Sequence, residues 1–216
     1  MPDALSEGFR PWARRLRLGR LLAVLCLLGL SAVSTAQTEP DAPAVIEKFH
    51  ASLLDLMRSA PSQSFEERLG QIEPSVRATY DLDYLSRAVL GGRTWNTLSE
   101  DERAQFSEVF ANLTVTTYAA RFNRFSGEKF VTVETREARR NRRLVRTELH
   151  TSDGERIGLD YLLQETEAGW RVVRVVVNGV NELAIKRAEY APIAKGQGIG
   201  RLVELLERQV ERLAAN

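Results

Sequence analysis

The residues able to do chemistry are few and scattered. The chain has two histidines, His50 and His150, and no regular spacing sets either beside carboxylates as metal ligands. His50 follows Phe49 in a stretch of helical periodicity, which predicts a place at the polar edge of that helix, and His150 lies in a charged strand-like run. Asp81, Asp83 and Asp160 are the carboxylates to nominate for general acid–base work. Asp81, however, stands where a helix begins and reads as its cap, while Asp160 alternates with Leu159 and Tyr161 and so faces away from them. Gly196-Gln197-Gly198-Ile199-Gly200 has the glycines of a phosphate loop without its Gly-Lys-Ser/Thr ending, and no strand feeds into it; a loop that needs positive backbone angles is the better reading. No nucleophile with its base, no metal cluster and no cofactor loop emerges, so these residues point to a protein that is not an enzyme and needs no cofactor.

One further group carries charge rather than reactivity. Arg136, Arg139, Arg140, Arg142 and Arg143 form the densest positive run of the chain. It reads as a solvated hairpin tip, or as a contact for an acidic protein surface or anionic lipid head groups.

The elements that would position these residues fall into three blocks. Val45, Ile46, Phe49, Leu53, Leu56 and Met57 recur at helical spacing and predict an amphipathic first helix, broken by Pro61-Ser62-Gln63-Ser64. A second helix is predicted over 65–72, a third with Pro74 in its first turn, and a short fourth ending at Gly91-Gly92. Ser99-Glu100-Asp101-Glu102 is a capping box that opens the longest helix, about 99–124. The period then changes to that of strands over 129–136, 142–151, 156–165 and 170–178, with Asp153-Gly154 as a hairpin turn. Ile157, Leu159, Tyr161 and Leu163 share one face of the third strand. The valines at 172, 173 and 175–177 are apolar on both faces of the fourth, which predicts a central strand covered on each side. Two helices follow, about 180–192 and 197–213. Helices, an antiparallel four-stranded meander and helices again predict a single α+β domain.

Ahead of this domain, Arg10, Arg14, Arg15, Arg17 and Arg20 precede an apolar run from Leu21 to Val33, and Ser34-Thr35-Ala36 supplies the small residues of a cleavage site before Gln37. That is the layout of a secretory signal peptide, predicted as residues 1–36 and removed on export to the periplasm. The apolar run is shorter than the roughly 20 residues a spanning helix needs. Cys26 lies inside it behind Leu25, an arrangement that does not suit a lipid-anchored leader. The leader takes five of the 30 basic and two of the 29 acidic side chains, leaving 25 against 27 and a formal charge of −2. Such a balance argues against nucleic acid as a partner. It also leaves no cysteine, hence no disulfide. Residues 37–43 read as a short arm, and the folded domain is predicted over 44–213.

An ordered set of residues runs through these elements. Ile72-x-Pro74-x-Val76, Tyr80-Asp81, Leu90-Gly91, Trp95, Leu98-Ser99, Arg103, Phe106, Phe110 and Tyr118 mark the helical half; Trp170, Gly179-Val180, Arg187, Glu189-Tyr190, Ile193, Gly196 and Leu202 mark the second. Over about residues 45–210 the chain resembles the MlaC family, also called toluene-tolerance proteins, which are periplasmic phospholipid-binding auxiliaries of ABC transporters. Val173-Arg174 stands where the family usually has Tyr-Asp, Asn178 replaces a glutamate, and Asn181 a serine. These departures fall beside the expected pocket and leave a hopanoid as an alternative cargo.

The resemblance implies a curved four-stranded antiparallel sheet packed against helices around an apolar cavity, an architecture shared with the NTF2-like folds. It implies a soluble shuttle that exchanges lipid between an outer-membrane lipoprotein/porin complex and the substrate-binding component of an inner-membrane ABC transporter, maintaining outer-membrane asymmetry. The physics agrees: two acyl chains carry roughly 30 methylenes, and at ~0.8 kcal/mol each their exposure to water would cost on the order of 20 kcal/mol, so a carrier must enclose them. The expected cavity wall is Tyr118 and Phe122 from the long helix, Val131 and Val133 from the first strand, Leu159, Tyr161 and Leu163 from the third, and Val173, Val175 and Val177 from the fourth. Arg187 is expected to hold the turn near the mouth or to pair with Glu182 or Glu189. Two other classes stay open: a small cone-shaped enzyme, marked by a buried acid/base group, and an envelope interaction module with a solid core.

Overall fold

The computed structural model describes residues 41–215, so the predicted signal peptide and residues 37–40 of the arm lie outside the described residues. Helix α1 (Ala42–Ser59) starts inside the segment expected to be an arm. The reason is local: the Asp41 carboxylate accepts a hydrogen bond from the Ala44 amide at 3.1 Å, and Pro43 occupies the first turn, where its missing N–H costs nothing. Ile46, Phe49, Leu53 and Leu56 form its buried stripe. A turn of 3-10 helix at Ala60–Ser62 ends it.

Helix α2 (Phe65–Thr79) is continuous through Pro74, where the sequence predicted two helices. An interior proline costs a helix about 3 kcal/mol. Here Ile72 and Val76 flank it and are fully buried, so packing outweighs the local preference. Helix α3 (Leu82–Leu90) opens with Asp81, whose side chain accepts the Tyr84 amide at 2.9 Å, and ends at Gly91 with φ +77°. A short helix α4 (Gly92–Thr97), absent from the sequence prediction, follows at once. Helix α5 (Glu100–Arg121) opens with the expected capping box, Ser99 and Glu102 each bonding the other's backbone amide.

The sheet has five strands in sequential antiparallel order: β1 (Lys129–Ala138), β2 (Arg142–His150), β3 (Arg156–Thr166), β4 (Gly169–Val177) and β5 (Val180–Asn181). The sequence predicted four; β5 is only two residues long, too short to show a period of its own. Beside it, Tyr80 bridges to Val172, and the Asp81 amide donates to the Val172 carbonyl at 3.0 Å. The fourth strand is therefore not a deeply central one. Its apolar run has a different origin: Val173 is an extra residue opposite the Leu162–Leu163 step, and this bulge leaves both Val172 and Val173 buried. A second bulge, at Val133, interrupts β1.

Helix α6 (Glu182–Gln197) runs through Pro192 to Gly198, and α7 (Ile199–Ala214) follows directly. Of the three clustered glycines only Gly198 has a positive φ, so the expected loop shrinks to one residue. Helix α5 packs between α2 and α7, and α3 packs on α6. One hydrophobic core joins these helices to the inner face of β2–β4 through Val145, Tyr161, Leu163 and Val172.

Candidate functional site

A cavity of about 900 Å³ is lined by the C-terminal half of α5 on one side and by the sheet on the other. Such a volume lies near the top of the ~300–1,000 Å³ range typical of small-molecule sites. Phe110, Thr114, Tyr118 and Arg121 recur along one face of α5 and form one wall, continued by Phe122. Alternate residues of the sheet form the other: Leu149 of β2, Ile157, Leu159 and Tyr161 of β3, and Val175 and Val177 of β4. Met57, Tyr80 and Leu85 contribute from α1 to α3, and Glu182, Leu183 and Lys186 come from the first turns of α6.

Six of the ten expected wall residues are thus brought together: Tyr118, Phe122, Leu159, Tyr161, Val175 and Val177. The other four lie elsewhere. Phe130 and Thr132 pair with Leu149 and Thr147, so Val131 between them faces the opposite side of the sheet and is 40% exposed. Val133 sits at the bulge and is 53% exposed. The inward residue of this strand is Phe130, whose ring stacks on His50 with centroids 3.9 Å apart. Leu163 is fully buried in the helix-facing core, and Val173 is buried at the β4 bulge; neither lines the cavity.

The polar groups of the floor are hydroxyls. The Tyr80 and Tyr118 hydroxyls are hydrogen-bonded to each other, and the Phe49 ring makes a T-shaped contact with each of their rings. The Tyr161 hydroxyl is hydrogen-bonded to His50 Nε2 at 3.1 Å. His50 is therefore buried rather than at a polar edge, because Phe130 and Tyr161 cover it. Burial lowers its pKa to about 3. Burial also raises Tyr118 to about 12 and pushes Tyr80 and Tyr161 well above the usual phenol value. Near pH 7 all four groups are neutral, and the floor is uncharged.

Charge is confined to other parts of the wall. Arg121 and Arg124 are exposed there, Arg174 and Lys186 are half-buried, and Glu128 and Glu182 are the carboxylates among them. None of these cations was expected at the site; Arg174 stands out in the sequence only as a departure from the family pattern, and Arg121 and Lys186 look like ordinary helix-surface residues. Tyr80, Thr114, Leu149 and Leu183 were also missed, although the spacing Phe110–Thr114–Tyr118 is a legible helical stripe.

Several other features lie apart from the cavity. Asp160 faces away from Tyr161, as expected, and binds Arg146, which also reaches Glu134. The arginine-rich hairpin turns at the far end of the sheet, with Arg140 and Asn141 at positive φ; Arg142 bonds Gln164, and Arg143 lies over Trp170. Arg187 makes no ion pair with Glu182 or Glu189 among the described residues; its guanidinium lies against Gly91 instead. Among the described residues there is no cluster of His, Cys, Asp and Glu able to hold a metal.

The fold is an α+β domain in which a largely apolar cavity with an uncharged floor lies between a helix and an antiparallel sheet, a shape and lining that an apolar or amphipathic ligand would fit. The family model "MlaC protein" matches residues 47–208, and the chain belongs to the MlaC family. Its fold is similar to that of a phospholipid-binding protein from Ralstonia solanacearum, solved in complex with a phospholipid, with a TM-score of 0.71 and 20% identity over 81% of this chain and 99% of that one. No curated protein sequence matches.

Proposed function

We propose that this protein binds a phospholipid with its acyl chains in the cavity and carries it across the periplasm between an outer-membrane lipoprotein/porin complex and the substrate-binding component of an inner-membrane ABC transporter. The observation that carries the reading is the cavity itself: about 900 Å³, walled by Phe122, Leu159, Val175, Val177 and their neighbours. Family membership supports it, and so does the phospholipid held by the structurally similar Ralstonia solanacearum protein. Export is part of the same proposal and rests on the basic head and apolar run of residues 10–36.

The hydrogen-bonded His50–Tyr161 pair is the feature an enzyme reading would seize on. A general base works best with a pKa near the operating pH. With His50 lowered to about 3 and Tyr161 raised well above the usual phenol value, both members are held in their neutral forms, which suits a buried polar fixture behind the cavity lining better than an acid–base pair.

The test is lipid transfer between two vesicle populations separated by a membrane that passes the protein and not the vesicles. Transfer of labelled phospholipid in proportion to protein concentration is the expected result. Transfer no faster than without protein would contradict the shuttle. Identification of the bound lipid separates a phospholipid from a hopanoid cargo.

A further inference from the structure

Carboxylates hold several cations outside the cavity, but none of the ion pairs among the described residues involves a cation of its wall. On the outer face of the sheet Arg146 is fully engaged, between Glu134 at 3.1 Å and Asp160 at 3.0 Å. On α2, Arg77 is held by Glu73 and Glu108. Arg174 lines the cavity, and its Nε is buried without a hydrogen-bond partner among the described residues. A buried donor left unpaired is destabilising, and natural structures retain few of them. Lys186 has no ion pair among the described residues; its Nζ reaches only the Tyr190 hydroxyl, at a long 3.5 Å, and lies over that ring. Burial lowers its pKa, and the nearby charge of Arg121 lowers it further, while Glu189 and Glu182 act the other way. Arg121 thus lies close enough to Lys186 for each to feel the other's charge, and Arg121 too makes no ion pair among the described residues. The cavity lining carries four cations against Glu128 and Glu182, and Glu128 is already bonded to the Ser126 amide. Its charge is therefore positive by two.

We propose that Arg174, Lys186 and Arg121 form an anion subsite that takes the phosphate ester of the lipid head group, and that its excess positive charge makes the protein prefer lipids of net negative head group over zwitterionic ones. The inference rests on the lipid-carrier reading and adds the class of cargo. A guanidinium and an ammonium that meet phosphate oxygens form charge-assisted hydrogen bonds, stronger than neutral ones. The same lining repels the quaternary ammonium of a zwitterionic head group, because unscreened charges interact strongly in a partly enclosed site.

The experiment loads the protein from vesicles of equimolar phosphatidylglycerol and phosphatidylcholine with matched acyl chains, then extracts and quantifies the bound lipid. Phosphatidylglycerol should exceed phosphatidylcholine by about tenfold, the scale of one charge-assisted contact. Lys186→Gln and Arg174→Gln should each bring the ratio towards one. Arg121→Gln, at an exposed position safe for folding, should lower it by a smaller factor. Arg146→Gln, on the outer face, should leave it unchanged. A ratio near one in the unmodified protein, or a ratio unmoved in all three cavity variants, would overturn the subsite. Excess inorganic phosphate should leave the ratio intact; phosphate that binds the lipid-free protein and abolishes the preference would make free phosphate the ligand and overturn the head-group assignment. Uptake of neither lipid would overturn the carrier reading itself, a different outcome from uptake of both alike.

Discussion

The guanidinium of Arg187 lies so close to Gly91 that a methyl group added there would sit 2.5 Å from Nη2. Two residues of the family pattern, nearly a hundred positions apart, thus meet where α3 ends and α6 passes over it. Gly91 also has φ +77° and ψ 149°, a backbone conformation that residues with a Cβ rarely adopt.

Gly91→Ala is therefore expected to destabilise the domain by about 1–3 kcal/mol, mostly through backbone strain, since the tip of an arginine can swing aside. Denaturant unfolding of Gly91→Ala with and without Arg187→Ala measures the two parts. The second substitution should restore only a minor share of the loss; full restoration would place the cost in the contact instead.

His50 should make stability depend on pH. Its pKa falls from 6.5 to about 3 on folding, so between those values the unfolded chain binds a proton that the folded one does not. The stability it contributes is complete above pH 6.5 and is lost as the pH falls, with a slope of up to about 1.4 kcal/mol per pH unit. The slope of unfolding free energy against pH should be shallower in His50→Gln than in the unmodified protein over this range. Identical slopes would mean that the imidazole is not held neutral.

The hydroxyls of Tyr80 and Tyr118 satisfy each other in a buried setting. Removing one leaves its partner unpaired, at a cost of about 1–3 kcal/mol. Tyr80→Phe and Tyr118→Phe should each destabilise, and the double variant should cost less than their sum. Additive losses in the double-mutant cycle would show the hydroxyls to be independent.

Much of the fold is legible because its signals are local. The Ser99–Glu102 capping box, the Asp81 cap and the starts of the first three long strands need only neighbouring residues to be read. What escapes is decided across the fold. Pro74 continues a helix because Ile72 and Val76 are buried by other elements. His50 is buried because its partner, Tyr161, stands 111 residues away. The bulges at Val133 and Val173 are the clearest case, since one extra residue reverses the inside and outside of a strand and only the neighbouring register reveals it. That reversal removes Val131, Val133 and Val173 from the cavity wall, while Val175 and Val177, beyond the β4 bulge, stay on it beside Leu159 and Tyr161 of β3.

The same geometry yields paired substitutions. Val175 faces the cavity and Val131 faces away from it. Val175→Trp should lower lipid occupancy several-fold by filling the space where a chain would lie, with the fold retained. Val131→Trp, equally bulky but on the outer face, should leave occupancy unchanged. Bound lipid measured by extraction from folded protein distinguishes the two, and equal occupancy in both variants would remove Val175 from the binding wall.

The central claim is that the cavity holds a lipid, and native mass spectrometry of the protein purified from cells without detergent tests it most directly. The predicted result is a stoichiometric adduct whose extracted component is a phospholipid, with an anionic head group enriched. A clean lipid-free mass that persists after incubation with phospholipid vesicles would contradict it.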